Sequence, residues 1–204
     1  MAIKGLSIPV FGKYNNNAGV VTYTDGVINP HAVSYTLSPE SSDNNPLYGD
    51  NRIVENDTEK FSSGTLTLEL DDLDNDITKF ILGAKEVERT YGEGKTVKSI
   101  IFDDDAKAPT LGVGLIVLHQ RNDIDVYVAA IVKKCVFGLP ENAATTKGDA
   151  VDWQTSSIEG TFTRSEEYGE NGKYPWKEQA EFASESEALE FLKAMLGVTK
   201  GAGA

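Results

Sequence analysis

Along several short stretches of this chain, apolar and polar residues alternate with period two, the mark of half-buried β-strands. "HAVSYTLS" sets Val33, Tyr35 and Leu37 on one face and Ser34 and Thr36 on the other. "GTLTLEL" sets Leu66, Leu68 and Leu70 opposite Thr65, Thr67 and Glu69. "SIEGTFT" sets Ile158 and Phe162 opposite Ser157, Glu159, Thr161 and Thr163. "GVVTYTDGVI" reads as an early hairpin-like segment with Asp25-Gly26 at its turn, and "KEVERTY" pairs with "TVKSIIF" across a Gly-Glu-Gly turn. Two longer runs, "TLGVGLIVLH" and "DVYVAAIVKKCVFGL", are apolar at nearly every position, which predicts burial on both faces. The Asn122-Asp123 pair between them predicts one antiparallel hairpin in the core.

The period changes twice. "DDLDNDITKFILG" has acidic capping residues, a stripe of Leu73, Ile77, Phe80 and Ile81, and Gly83 as a stop, so it predicts a helix. "SESEALEFLKAMLG" repeats the design. Ser184 and Glu187 form a capping box, Leu189, Leu192 and Leu196 make the stripe with Ala188 and Met195, and Gly197 ends it. Many strands and two short helices imply a mainly β fold. We expect a β-sandwich or open barrel, one helix at its flank and a second at the C-terminus. No internal repeat or low-complexity linker divides residues 1–204, which suit a single domain. Residues 184–204 are expected to be the C-terminal helix and a flexible tail.

Between Ser38 and Lys60 lies a polar run that reads as a loop, far longer than the usual connection of roughly four to six residues. Its middle, "NNPLYGDNRIVEN", holds Leu47 and Tyr48 together, then Ile53 and Val54. A loop that only joins two strands has no use for these side chains. A loop that docks onto something does.

Charge and composition narrow the function. The formal net charge is −13, which argues against holding nucleic acid by phosphate neutralisation. No apolar run approaches the roughly 18 residues of a membrane span. The start "MAIKGLSIPVFGKYNN" is broken by Gly5, Pro9 and Gly12, so we expect a protein not exported by a signal peptide. The lone cysteine, Cys135, sits in an apolar run and reads as a small buried hydrophobe.

From Asp72, an EF-hand needs Gly at its sixth place and Glu at its twelfth, where the chain has Ile77 and Gly83. Asp103, Asp104 and Asp105 read as a solvated acidic turn. His31 and His119 lack ligand spacing, and no G-x-S-x-G elbow is present. "GEG" and "GVG" are too short to cradle phosphate. Chance carboxylate pairs abound in so acidic a chain, so they carry little weight for a glycosidase. Trp153 and Trp176 suit a core or a carbohydrate-binding face equally. We therefore expect no catalytic residue, no metal ligand and no cofactor.

The ordered segments "GLSIPVFG", "VVTYTDGVINPHAVSYTLSPE", "NPLYGDN", "FSSGTLTLELDDLDNDITKFILG", "APTLGVGLIV", "KKCVFGLPEN", "DWQTSSIEGTF" and "EALEFLKAML" run through nearly the whole chain. In order and spacing they resemble the major tail protein, or tail tube protein, of long-tailed non-contractile bacteriophages of Gram-positive bacteria. That resemblance implies a structural virion protein rather than an enzyme. It further implies a protein made in the host cytoplasm that assembles with itself into hexameric rings stacked as a hollow tail tube. Tape measure, tail terminator and distal tail proteins are the implied partners. DNA passes through the lumen without specific binding. The 38–60 segment would reach the neighbouring ring, with Leu47, Tyr48, Asn51, Ile53 and Val54 as anchors. Candidate lumen-facing residues are Ser34, Thr36, Thr65, Thr67, Glu69, Ser157, Glu159 and Thr161. Some relatives carry an extra C-terminal immunoglobulin-like domain, and with "GAGA" at the end of the sequence none is expected here. The rival readings are a monomeric β-sandwich module that recognises carbohydrate, and an acidic-pair hydrolase.

Overall fold

The computed structural model describes residues 2–29, 31–42, 45–57, 60–71, 73–104, 106–140, 155–169 and 172–199. Asp72, Asp105, Trp153 and the final residues 200–204 of the expected flexible tail lie outside them. The described chain is mainly β. Its strands are β1 (Ala2–Asn17), β2 (Val20–Ile28), β3 (Ala32–Ser41), β4 (Asn45–Gly49), β5 (Arg52–Asp57), β6 (Phe61–Leu70), β7 (Lys85–Tyr91), β8 (Lys95–Ile101), β9 (Leu111–Arg121), β10 (Ile124–Phe137), β11 (Ser156–Thr163) and β12 (Lys177–Phe182). The helices are α1 (Asn75–Leu82) and α2 (Glu185–Met195).

Eight strands form one antiparallel sheet, in the order β2-β1-β9-β10-β11-β6-β3, with β12 also on β10. The length of β10 makes this branching feasible. Its first half pairs with β12 through Tyr127 to Val132, and its last turn of strand pairs with β11 through Lys134 to Phe137. A register shift between Val132 and Cys135 marks the change. Beyond it the sheet curls, and β3 comes back close to β1 without pairing with it. The result is an open barrel rather than two separate sheets.

The central strands are buried on both sides, as their continuous apolarity predicts. On the inside, Phe11, Leu111, Val113, Leu115, Cys135 and Phe137 pack against Leu66, Leu68, Ile158 and Phe162 of the curled half. Helix α1 closes this core with Ile77, Ile81 and Leu82. Asp74 caps its N-terminus through a 2.7 Å bond from the Ile77 amide, and Gly83 ends it at a φ of 67°. On the outside, α2 lays Ala188, Leu192 and Leu196 over Val10, Ile116, Ala129 and Ile131. Gly12 and Gly112, paired in register, make the shelf for its last turn. A Cβ on Gly12 would sit 2.4 Å from the Leu196 carbonyl oxygen.

Three sequence expectations are corrected. Asp25-Gly26 is not a hairpin turn: β2 runs through it, with Asp25 at a φ of 54° in a bulge between the Phe11 and Lys13 pairings. The turn lies at Ala18-Gly19, where both residues have positive φ. Val33 does not share the face of Tyr35 and Leu37 as an inward residue. A register shift between Ala32 and Ser34 leaves it exposed, since one extra residue flips the alternation. The run from Ser38 to Lys60 is not an open loop. Strand β3 continues to Ser41, and β4 and β5 pair as a hairpin around Asp50-Asn51. Those turn residues have φ of 49° and 61°, the mirror-image geometry that Asp and Asn tolerate.

One buried charge interrupts the apolar order. Lys133 is 4% exposed, and its ammonium lies 2.5 Å from Glu178 and 3.3 Å from Glu167. Burial alone lowers its pKa, but the two carboxylates outweigh it and hold the value above that of an ordinary lysine. The trio ties the 164–178 segment to β10. Lys133→Met should cost about 1 kcal/mol or less, because Glu167 and Glu178 are half-exposed and water serves them once the ammonium is gone. Glu178→Gln should cost about 1–3 kcal/mol in urea unfolding, because it leaves the buried ammonium short of a partner. The raised pKa fixes the sign with pH. The contribution is full below the unfolded lysine value, roughly 10.4, and is lost as pH rises through the folded one. Only the parent chain, not Lys133→Met, should show that alkaline loss.

Candidate functional site

All eight residues expected to face a lumen come together on one surface. They lie on the outer face of β3, β6 and β11, whose register aligns them in rows. Ser34, Glu69 and Ser157 form the first row, and Thr36, Thr67 and Glu159 the second. Thr65 and Thr161 share the third with Ser38. The alternation of each strand explains this. The residues between them, Tyr35, Leu37, Leu66, Leu68, Ile158 and Phe162, point into the core. Each apolar position held inside forces its neighbours out.

The face is hydroxylic and acidic. Ser34 donates to Glu69 at 2.7 Å, and Ser63 donates to Glu40 at 3.2 Å. Glu40 and Ser63 extend the face by a fourth row with Thr163. The sequence reading missed Glu40 and Ser63, because β3 and β6 were expected to stop short of them. Lys134 borders that row, and Glu166 engages its ammonium at 2.5 Å. Such a surface offers many weak hydrogen bonds and no unopposed cation within its first three rows. It lacks the clustered cations that hold a phosphate backbone.

At the far end of β3 the chain leaves the barrel as the β4–β5 hairpin. Tyr48 and Ile53 are paired and share one face of it, Leu47 opposes Glu55 on the other, and Val54 falls at the bulge. Leu47, Tyr48, Ile53 and Val54 are 58–66% exposed. Four large apolar side chains are thus held in water on a narrow arm, divided between its two faces and the bulge. Asn51 sits in the turn itself, at the tip.

Cys135 is fully buried, and burial pushes its thiol up to about 12, so it is no nucleophile at neutral pH. Among the described residues, no three His, Cys, Asp or Glu side chains are grouped so as to hold a metal ion. Also among them, no helix is long and apolar enough to cross a membrane. Trp176 is stacked on Phe61 at 4.6 Å and Phe162 at 5.5 Å, so its ring serves the core. Tyr168 and Tyr174 are exposed, but they meet edge to face at 72° and form no flat platform for a sugar. Trp153, the other candidate for such a platform, is outside the described residues.

No known family model matches the chain, and no curated protein matches it.

Proposed function

We propose that this chain is a structural subunit that assembles with itself into stacked hexameric rings, forming the tube of a phage tail through which DNA passes. The observation that carries the reading is the β4–β5 arm. It projects from the barrel with Leu47, Tyr48, Ile53 and Val54 in water, where each would gain roughly 1.5–3 kcal/mol by burial against another copy. The acidic, hydroxylic face of β3, β6 and β11 supports it, because a conduit for DNA needs a wall that repels phosphate. Six copies at −13 each carry −78 per ring. Salt screens that field over about 8–10 Å, so it acts as a short-range lining rather than a barrier. In this reading the protein does no catalysis and belongs to the virion. Its partners are further copies of itself, the tape measure protein, and the terminator and distal tail proteins at the tube ends.

Negative-stain electron microscopy of the concentrated protein, alone and with an initiating tip complex, tests the proposal. Hollow rods of six-fold rings are expected. Dispersed monomers under both conditions would overturn it and favour a monomeric binding module. Within tubes, Glu69→Lys with Glu159→Lys should leave assembly intact and slow DNA passage. Unchanged infectivity of that double variant would remove both residues from the lumen.

A further inference from the structure

A second arm also leaves the body of the protein. The root of the β7–β8 hairpin is tied down by ion pairs. Glu86 meets Lys79 of α1 at 2.8 Å and Lys98 at 3.0 Å, and Lys85 meets Asp103 at 2.7 Å. From Glu88 to Lys98, however, every residue on both faces is exposed. A two-stranded ribbon with water on both sides is marginally stable by itself. This one also carries Tyr91 at 56% and Val97 at 48% exposure.

The register gives the arm a distinct face. Arg89 opposes Val97, and Tyr91 opposes Lys95. Directly paired residues share a face, as do residues two apart, so these four make one compact patch. It holds two cations, an aromatic ring and a branched aliphatic side chain, and no carboxylate. Among the described residues neither Arg89 nor Lys95 has an ion-pair partner. In a chain of net charge −13, such a patch is complementary to the rest of its own kind.

We infer that this patch docks onto the outward ridge of helix α2 of a second copy of the chain, an inference that rests on the tube-subunit reading and names one contact between subunits. Ala188, Leu192 and Leu196 turn α2 toward the sheet. The helical period then sets Glu187, Glu190 and Ala194 on the opposite side, and all three are exposed. Glu187 and Glu190 have no cation partner among the described residues. One turn apart, they stand about 5–6 Å from each other. Arg89 and Lys95, diagonal across the arm, stand about 7–8 Å apart, within reach of long side chains. Small Ala194 leaves room on the ridge for the Tyr91 ring.

The contact joins different copies because of where the two parts sit. The arm follows α1 and thus springs from a helix packed on the inner core, and α2 packs on the outer face of the sheet. A contact of unlike surfaces is head-to-tail, the kind that closes rings. A nucleic acid is a poorer occupant. Two cations flanked by Glu88 and Glu93 neutralise few phosphates, and the chain as a whole repels them.

Two measurements on the full chain test this. Arg89→Glu with Lys95→Glu should raise the concentration needed for tube assembly about tenfold or more at low salt, with the gap narrowing as salt screens it. Adding Glu187→Lys and Glu190→Lys to the same chain should restore assembly. In addition, chains with Arg89→Cys mixed with chains with Glu190→Cys should form a disulfide-linked heterodimer on mild oxidation. The native Cys135 is buried and stays out of that reaction. Parent tubes alongside an arm variant that assembles at the same concentration would overturn the inference and leave the subunit reading standing. If the parent forms no tubes even with a tip complex, the subunit reading fails, and absence of the cross-linked heterodimer then overturns the arm contact on its own. Loss of a DNA gel shift in the arm variant, with no change in self-association, would assign the patch to a polyanion instead.

Discussion

On the proposed tube-subunit reading, Leu47→Ser with Tyr48→Ser should yield a folded protein that does not build tubes. Both side chains are more than half exposed on the β4–β5 arm and touch no core cluster, so their loss leaves the barrel intact. Surface changes of this kind shift unfolding by about 0.5 kcal/mol or less. Assembly is a different matter. Burying each side chain against a neighbour contributes roughly 1.5–3 kcal/mol, so the pair removes about 3–6 kcal/mol from every contact. At about 1.4 kcal/mol per decade, the concentration needed for assembly rises at least about a hundredfold. Thermal melting by circular dichroism reads the first half of this expectation, and sedimentation with electron microscopy reads the second. Normal tubes at parental concentration would remove the arm as the anchor. Loss of the folded melt would show that the arm belongs to the core.

Phe162→Ala unfolds more easily than the parent chain by about 3–5 kcal/mol. Phe162 is fully buried, stacks on Phe61 at 5.7 Å and Trp176 at 5.5 Å, and joins β11 to the inner core. Its ring lies over Gly64, where a Cβ would come within 2.3 Å of it. Alanine leaves a cavity that the two remaining aromatic rings, Phe61 and Trp176, and a glycine cannot collapse to fill. For a chain of this length the loss lowers the melting temperature by roughly 6–20 °C, at about 2–4 °C per kcal/mol. Phe162→Leu keeps most of the volume and should cost less than half as much. A Phe162→Ala change under 1 kcal/mol in urea unfolding would place the ring outside the rigid core.

The outer face of β3, β6 and β11 shows how far local pattern reaches. Period-two alternation in β3, β6 and β11 assigned Ser34, Thr67 and Glu159 to outward faces, because a strand has only two sides and one was plainly apolar. The same reasoning failed at Val33, and the turn reading failed at Asp25-Gly26. Both are bulges, and a bulge is chosen by the partner strand rather than by the residues that form it. The arm was half legible. Leu47, Tyr48, Ile53 and Val54 stood out against a polar background, but the Asn, Asp and Ser around them hid the pairing of β4 with β5. The β7–β8 hairpin was recognised as paired, yet nothing in "KEVERTY" said that its tip would stand free of the barrel.

What the sequence determined by itself is local. It set the faces of the strands, the caps at Asp74 and Ser184, the Asn122-Asp123 turn and the double burial of β9 and β10, since each follows from the chemistry of residues within one or two turns of chain. Tertiary structure decided the rest. It divided the edge of β10 between β12 and β11, curled β3 back toward β1, and brought Ser34, Glu69 and Ser157 into one row across three strands. It also placed Lys133 in the interior with Glu167 and Glu178 around it. Strand order and register are contacts between distant residues, and the cost of a buried charge depends on neighbours that sequence spacing does not reveal.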